Sequence, residues 1–546
     1  ATTPQKAGPI PEPPWQAHWH FTNGDLLELQ GRPGKALDEY LRALKYDPWS
    51  LELRLAAARV LGQLGGWKEA ADILEPAVGQ EPASPEAQLL LSDCYIRLRQ
   101  PQKAEKTLQR LLRLDPDNIP ARKRLAALYE WREDYSRAND QYRQLLPLVK
   151  HPENMHLRRA ENFIRMERYR QAQQEYRQAL EIREDLVEGH WGVAQTYEIL
   201  GQPQQAVAHY QKAIERFPQQ LALRRHLAEL LVRLGRPQEA LDQYRVLTEA
   251  DPSDQSALRH LGLLLYYTEQ YAQAEDVFQK LLVRSPDDPA VHLYLGRSLA
   301  GQEKLDAALA HFRRAVAIDQ ELTDGWISLG VAHLQMGDLE GAEEVLERGV
   351  LRVSDDARLW HLLGVGHLRL EKYRLAVGDL QRARNLDPEN IGILRDLANG
   401  CERAGYFQKA VDLFQQLLKR RPDDHWALNY FGYMLADAGV ELHRARELID
   451  RALQLDPDNA YYLDSMGWVY FRLGQSDLAE RYLLEAVQRA PDQAVIYDHL
   501  GDLYRQGGRI EQARDRWHQA LELNPGDESI RRKLDQLEAG DEGDPP

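Results

Sequence analysis

The sequence is poor in cysteine: Cys94 and Cys401 are the only two in 546 residues. So few, so far apart, exclude a disulfide framework, and without a C-x-x-C spacing neither a zinc site nor a redox motif is expected. Low cysteine usage fits an extracytoplasmic protein. Long apolar runs are lacking as well. No stretch approaches the roughly 18 apolar residues of a membrane-spanning helix, so no transmembrane helix is expected. Basic blocks are missing too. Lys and Arg number 69 against 85 Asp and Glu, a net charge of −16. Phosphate neutralisation needs clustered cations, so nucleic acid is not an expected partner. Neither G-x-x-x-x-G-K-[ST], G-x-S-x-G, H-E-x-x-H nor G-x-G-x-x-G occurs. The many acidic residues are explained by i,i+4 pairing on helix surfaces rather than by acid–base chemistry. No enzyme activity and no cofactor are expected.

What is present is a period. An alanine recurs every 34 residues, from Ala36 and Ala70 through Ala376 and Ala410, and continues after one added residue at Ala445, Ala479 and Ala513, which makes fifteen copies. With that alanine as position 20, position 8 is small (Gly24, Ala58, Gly262, Gly432, Gly467, Gly501) and position 24 is large (Tyr40, Tyr210, Phe278, Phe312, Trp517). Small residues let two helices approach to about 8–10 Å, and the large one fills the space beside them. Proline at position 32 in eleven copies, among them Pro48, Pro252 and Pro525, stops each second helix. Glycine at position 15, as in Gly201 and Gly337, suits the turn between the helices.

This spacing of small, large and proline positions resembles the tetratricopeptide repeat, a helix–turn–helix unit. The resemblance implies an all-α fold: an α-solenoid of about fifteen hairpins wound into a right-handed superhelix, with a C-terminal capping helix. Residues 1–16 read as a proline-rich tether of the kind that follows a signal peptide or a lipid-anchored cysteine. Residues 17–152 form an N-terminal sub-array, with a break expected where Leu145–His156 lacks the usual ending. Residues 153–527 form the main superhelix. Residues 528–546 supply a capping helix and an acidic tail.

In this family the first helix of each unit lines the groove through positions 2, 5, 9 and 12 or 13. The middle of the chain offers Trp191, Tyr266 and Tyr267 there. The last three repeats offer Trp426, Asn429, Tyr433, Tyr461, Asp464, Trp468, Phe471, Arg472, Asp498, Asp502 and Arg505. Aromatics with arginine are the composition of interfaces. Asn429, Asp464 and Asp498 share position 5 and are expected to form a polar ladder for an extended peptide. Two known ligand codes are missing: Lys123 lacks the asparagine that a chaperone-tail clamp needs, since Ala127 stands there, and no asparagine ladder occurs at position 6. His333 and His367 share position 11 and are expected to be core imidazoles. His226 and His260, without a nearby carboxylate, make a poor zinc site, and no metal is expected.

Asn429–Asp437 (NYFGYMLAD), Tyr462–Trp468 (YLDSMGW) and Asp498–Asp502 (DHLGD) resemble the C-terminal repeats of a group of bacterial tetratricopeptide lipoproteins. Some of these tether to the outer membrane and bring a carboxy-terminal processing protease together with its peptidoglycan-hydrolase substrates. The resemblance implies a periplasmic, outer-membrane-anchored adaptor whose lipid anchor lies outside this sequence. The alternatives are an assembly scaffold for exopolysaccharide or envelope secretion and a cytoplasmic regulatory module. In each case the partners are proteins or extended peptides.

Overall fold

Each repeat gives two helices because its breakers fall at fixed places. Ser50, Asn118, Asp288 and Asp424 precede first helices and accept N–H bonds from the first turn, as Asn118 Oδ1 does from Ala121 N at 3.0 Å. Proline opens second helices at Pro33, Pro101, Pro203 and Pro237, where no helical amide bond is lost. Between paired helices one residue turns left-handed, Gly201 at φ 69° and Gly337 at φ 75°. Glu303 takes the same conformation at φ 62°, at a cost of about 1–3 kcal/mol.

The computed structural model describes residues 15–78 and 84–541, with side chains to Leu537. Most of the expected tether and the acidic tail's side chains lie outside the described residues. Trp15 and Gln16, read as the tether's end, already belong to the first helix. Among the described residues there are thirty-one helices and no strand, from α1 (Trp15–Leu29) to α31 (Glu528–Asp541).

The chain divides into two compact units, Ala1–Ala257 and Leu258–Pro546. In the first, α3 (Leu51–Gln63) touches α5 (Pro85–Arg97), and α5 touches α7 (Ile119–Trp131). In the second, α25 (His425–Asp437) touches α27 (Ala460–Arg472), and α27 touches α29 (Ala494–Gln506). In these runs of repeats the first helices therefore form a shared face, as in an α-solenoid. The small residues make the packing possible. A Cβ on Gly432 would lie 2.6 Å from Ile449 and 2.9 Å from the Ala445 carbonyl oxygen; one on Gly467 would lie 2.6 Å from Leu483. The position-24 residues Tyr40, Phe278, Phe312, Phe414 and Trp517 are all buried. Tyr40 and Tyr210 satisfy their hydroxyls at the core's edge by donating to Asp25 at 2.7 Å and Glu198 at 2.9 Å.

Both irregularities have local structure. α8 (Tyr135–Leu145) stops short, and α9 (Pro152–Arg165) starts at a proline. The seam that α8 and α9 share with α10 (Tyr169–Ile182) is polar: Asn162 donates to Asn139 at 3.0 Å, and Glu175 holds His156 at 2.7 Å and Arg159 at 2.9 Å. The added residue before α26 (Leu442–Leu455) is absorbed by two left-handed residues, Gly439 and Glu441. α31 caps the array by burying Ile530, Leu534 and Leu537 in the cluster that contains Trp517. Cys94 and Cys401 are buried free thiols.

Candidate interaction surface

Neighbouring first helices are joined by a recurring lattice. The residue at position 6 of one helix reaches back to positions 5 and 9 of the helix before it, which lie one turn apart on one face. Arg124 pairs with Asp93 through two bonds of 2.7 and 2.9 Å. Tyr430 donates to Asn399 at 2.9 Å, His361 pairs with Asp396 at 2.7 Å, and Arg297 donates to Ser328 at 3.0 Å. A second link joins arginine at position 5 to the aspartate that caps the next first helix: Arg225 to Asp254, Arg259 to Asp288 at 2.7 Å and Arg395 to Asp424 at 2.6 Å. Many charges on this face are therefore engaged in joining repeats. Those left without a partner are the candidates for binding something else.

The last three repeats sort the expected residues into two groups. Asp464 and Trp468 are buried, 5% and 8% exposed. They do not stand open as rungs of a ladder, because His499 closes over both. Its Nδ1 lies 2.8 Å from Asp464 Oδ1, and its ring stacks on Trp468 with centroids 4.3 Å apart. Burial alone lowers the affinity of His499 for a proton, but Asp464, with Asp498 and Asp502 behind it, raises it above the ordinary histidine value. Asp498 and Asp502 are likewise occupied: both accept from Lys533 Nζ of α31 at 2.7 Å. Burial would depress the lysine, but the two carboxylates hold it above its usual value. Asp502 is raised by burial despite Lys533.

The other group is accessible. Trp426 is half-buried between Tyr430, at a ring distance of 5.0 Å, and the Arg395 guanidinium, 5.0 Å above it. Asn429 is half-buried, but its Oδ1 is shielded from solvent and accepts no hydrogen bond among the described residues. Tyr433 is half-buried, 6.1 Å from His499, its phenol pushed upward by burial and then by Asp437 and Asp464. Tyr461 is 51% exposed and donates to Gln493 at 2.9 Å. Phe471 stacks on Trp468 at 4.9 Å. Arg472, exposed, donates to the Asp437 carbonyl at 2.7 Å, beside the added residue. Arg505 is exposed, 6.0 Å over Trp517. Among the described residues neither Arg472 nor Arg505 forms an ion pair. The face thus offers aromatic area and two guanidinium groups, which suits a polypeptide with acidic or apolar side chains.

Trp191 lies in the first unit, half-buried and edge-on to His226 at 4.3 Å. Tyr266 and Tyr267 form an aromatic group with Tyr294, and Tyr267 is 67% exposed. The position-11 histidines are buried as expected: His333 pairs with Asp338 at 2.6 Å, and His367 lies between Asp379 at 2.6 Å and Glu343 at 2.9 Å. Glu343, Glu347 and His367 offer ligand atoms within 4.8 Å of one another. Both nitrogens of His367 are engaged, however, and Lys372 bonds Glu343 at 2.6 Å, so two of the three groups already have partners. Sequence reasoning missed His499, Lys533, Tyr430 and Arg395. The first three share position 6, and that shared place is the signal that would have found them.

Models of the tetratricopeptide repeat match residues 63–129, 199–262 and 299–365, residues 260–322 and residues 154–186. A model described as the cilia and flagella-associated protein 70 middle TPR-like domain matches residues 394–524. A TPR repeat-containing protein of Pseudomonas aeruginosa is 39% identical over 102 residues, 19% of this chain and 17% of that protein. The PEX5-related protein of Homo sapiens is 31% identical over 93 residues, 17% of this chain and 15% of that one. The N-terminal acetyltransferase A complex auxiliary subunit of Arabidopsis thaliana is 28% identical over 127 residues, 23% of this chain and 14% of that one. The chain thus spans less than a fifth of the length of these relatives. Among solved structures, Naa15/Naa10 bound to HypK-THB aligns over 96% of both chains at 14% identity and a TM-score of 0.39. Yeast Tom70 aligns over 71% of this chain and 95% of its own at 18% identity and a TM-score of 0.33.

Proposed function

We propose that this chain, which is built of tetratricopeptide repeats, is a non-enzymatic adaptor that holds partner proteins on the first-helix face of its last three repeats. Repeats of this kind form extended binding surfaces. The observation that carries the reading is the concentration of half-buried and exposed aromatics on α25, α27 and α29 together with Arg472 and Arg505, which form no ion pair among the described residues. An adaptor works by raising the effective concentration of one partner for another, so it needs no catalytic group of its own. The finer form of the proposal is a periplasmic, outer-membrane-tethered protein that gathers a carboxy-terminal processing protease and peptidoglycan hydrolases. It is supported by the likeness of the segments Asn429–Asp437, Tyr462–Trp468 and Asp498–Asp502 to bacterial lipoproteins of that role.

Co-purification from bacterial envelopes, read by mass spectrometry, tests it. Recovery of a protease of that class together with cell-wall hydrolases supports the adaptor. Recovery of a polysaccharide-export assembly in their place replaces it with a secretion scaffold.

A further inference from the structure

A second cationic surface lies in the first unit. An open cleft of about 1020 Å³ runs across α3, α5 and α7. Arg59, Arg97, Arg99 and Arg124 line it, and the acidic residue on its wall is Asp93. Asp93 is already held by Arg124 in the inter-repeat lattice. Among the described residues Arg59, Arg97 and Arg99 make no ion pair, in a chain whose net charge is −16. Three guanidinium groups thus face one cleft without a counter-charge. Arg99 is presented from a left-handed turn position at φ 55°, and Arg97 lies 5.5 Å over the Trp67 ring. Beside them the cleft exposes apolar surface: Trp131 is 63% exposed and Ile96 37%.

We propose that this cleft is a docking site for an extended peptide segment that alternates carboxylates with apolar side chains. The guanidinium groups supply forked donors that match carboxylates. Trp131 and Ile96 supply the anchor surface that water would otherwise cover. Three first helices spaced at about 9–10 Å give a trough of roughly 20 Å, the length of about six extended residues. A nucleic acid also carries anions and rings, but the acidic chain repels a polyanion at long range, and three cations make a poor phosphate track. The site is independent of the reading of the last three repeats.

The test uses the full chain and two rhodamine-labelled octapeptides, one alternating glutamate with leucine and one alternating glutamine with leucine, in fluorescence anisotropy. The glutamate peptide is expected to bind about tenfold more tightly or better, with the preference shrinking as salt rises. Arg97→Glu with Arg99→Glu is expected to abolish the preference while circular dichroism stays helical, and Trp426→Ala is expected to leave it intact. If the charge reversal fails to fold, Arg97→Gln with Arg99→Gln takes its place. Equal affinity for the two peptides overturns the proposal. So does a preference that survives substitution of both arginines, or tighter binding of an eight-nucleotide oligothymidine than of the glutamate peptide.

Discussion

His499 Nδ1 lies 2.8 Å from Asp464 Oδ1, both side chains are buried, and the imidazole is stacked face to face on Trp468. The contact joins α29 to α27 and places a charge pair where the repeat pattern alone would put an open groove. An aromatic face against an imidazolium adds to the attraction of the carboxylate.

That pair makes stability depend on pH. The folded His499 holds its proton more tightly than the ordinary value of about 6.5. A raised folded value gives stability that is fully present below the unfolded value and lost as pH rises through the folded one. The groups that face the ring are Asp464, Asp498, Asp502 and Tyr433, with Lys533 behind the carboxylates. The stability gap between the parent and His499→Gln should be largest near pH 6 and shrink toward alkaline pH. Thermal melts across that range check it, and a gap that widens with pH contradicts it.

Lys533 ties the capping helix to α29 through Asp498 and Asp502. Lys533→Met should leave two partly buried carboxylates facing each other and cost about 1–3 kcal/mol. Hydrogen exchange in α31 should accelerate well before exchange in α25. Uniform protection in the variant would show that the cap is held by its apolar face alone.

The hairpin repeat was legible because close packing demands small residues at a fixed spacing. Gly432 and Gly467 stand where a Cβ would strike the partner helix, and no other chemistry explains that period. The candidate site was only half legible. Tyr461, Arg472 and Arg505 are exposed where the family's pattern places them. Asp464 and Trp468 are buried, because the residue that covers them sits a full repeat away. Helical spacing tells which residues share a face but not which residue of the next helix lands on them. His499 and Lys533 act through that inter-repeat offset, so a reading of one helix at a time passes over them.

Two glycines separate packing from propensity. Gly432→Ala meets the backbone carbonyl of Ala445, which cannot move aside, and should destabilise by about 1–3 kcal/mol. Gly378, in α22 (Tyr373–Leu386), has nothing within 4 Å of the added methyl. Gly378→Ala should stabilise by about 0.5–1 kcal/mol. Denaturant titrations of the two variants should move in opposite directions.

Two tryptophans separate binding from folding in the same way. Trp468→Ala empties a buried position and should cost about 3–5 kcal/mol. Trp426→Ala removes a half-buried ring at the surface and should weaken partner binding with a much smaller change in the melting curve. A variant of Trp426 that melts like one of Trp468 would mean that the ring belongs to the core.

The most direct measurement places a photo-cross-linking residue at Tyr461 or Arg505, on first helices, and at Arg481, on the second helix α28 (Ser476–Arg489). The three variants are then exposed to bacterial envelope proteins. The same protein adducts are expected from positions 461 and 505 and none from 481. Adducts that form at 481 and are missing from the other two would contradict the proposed surface.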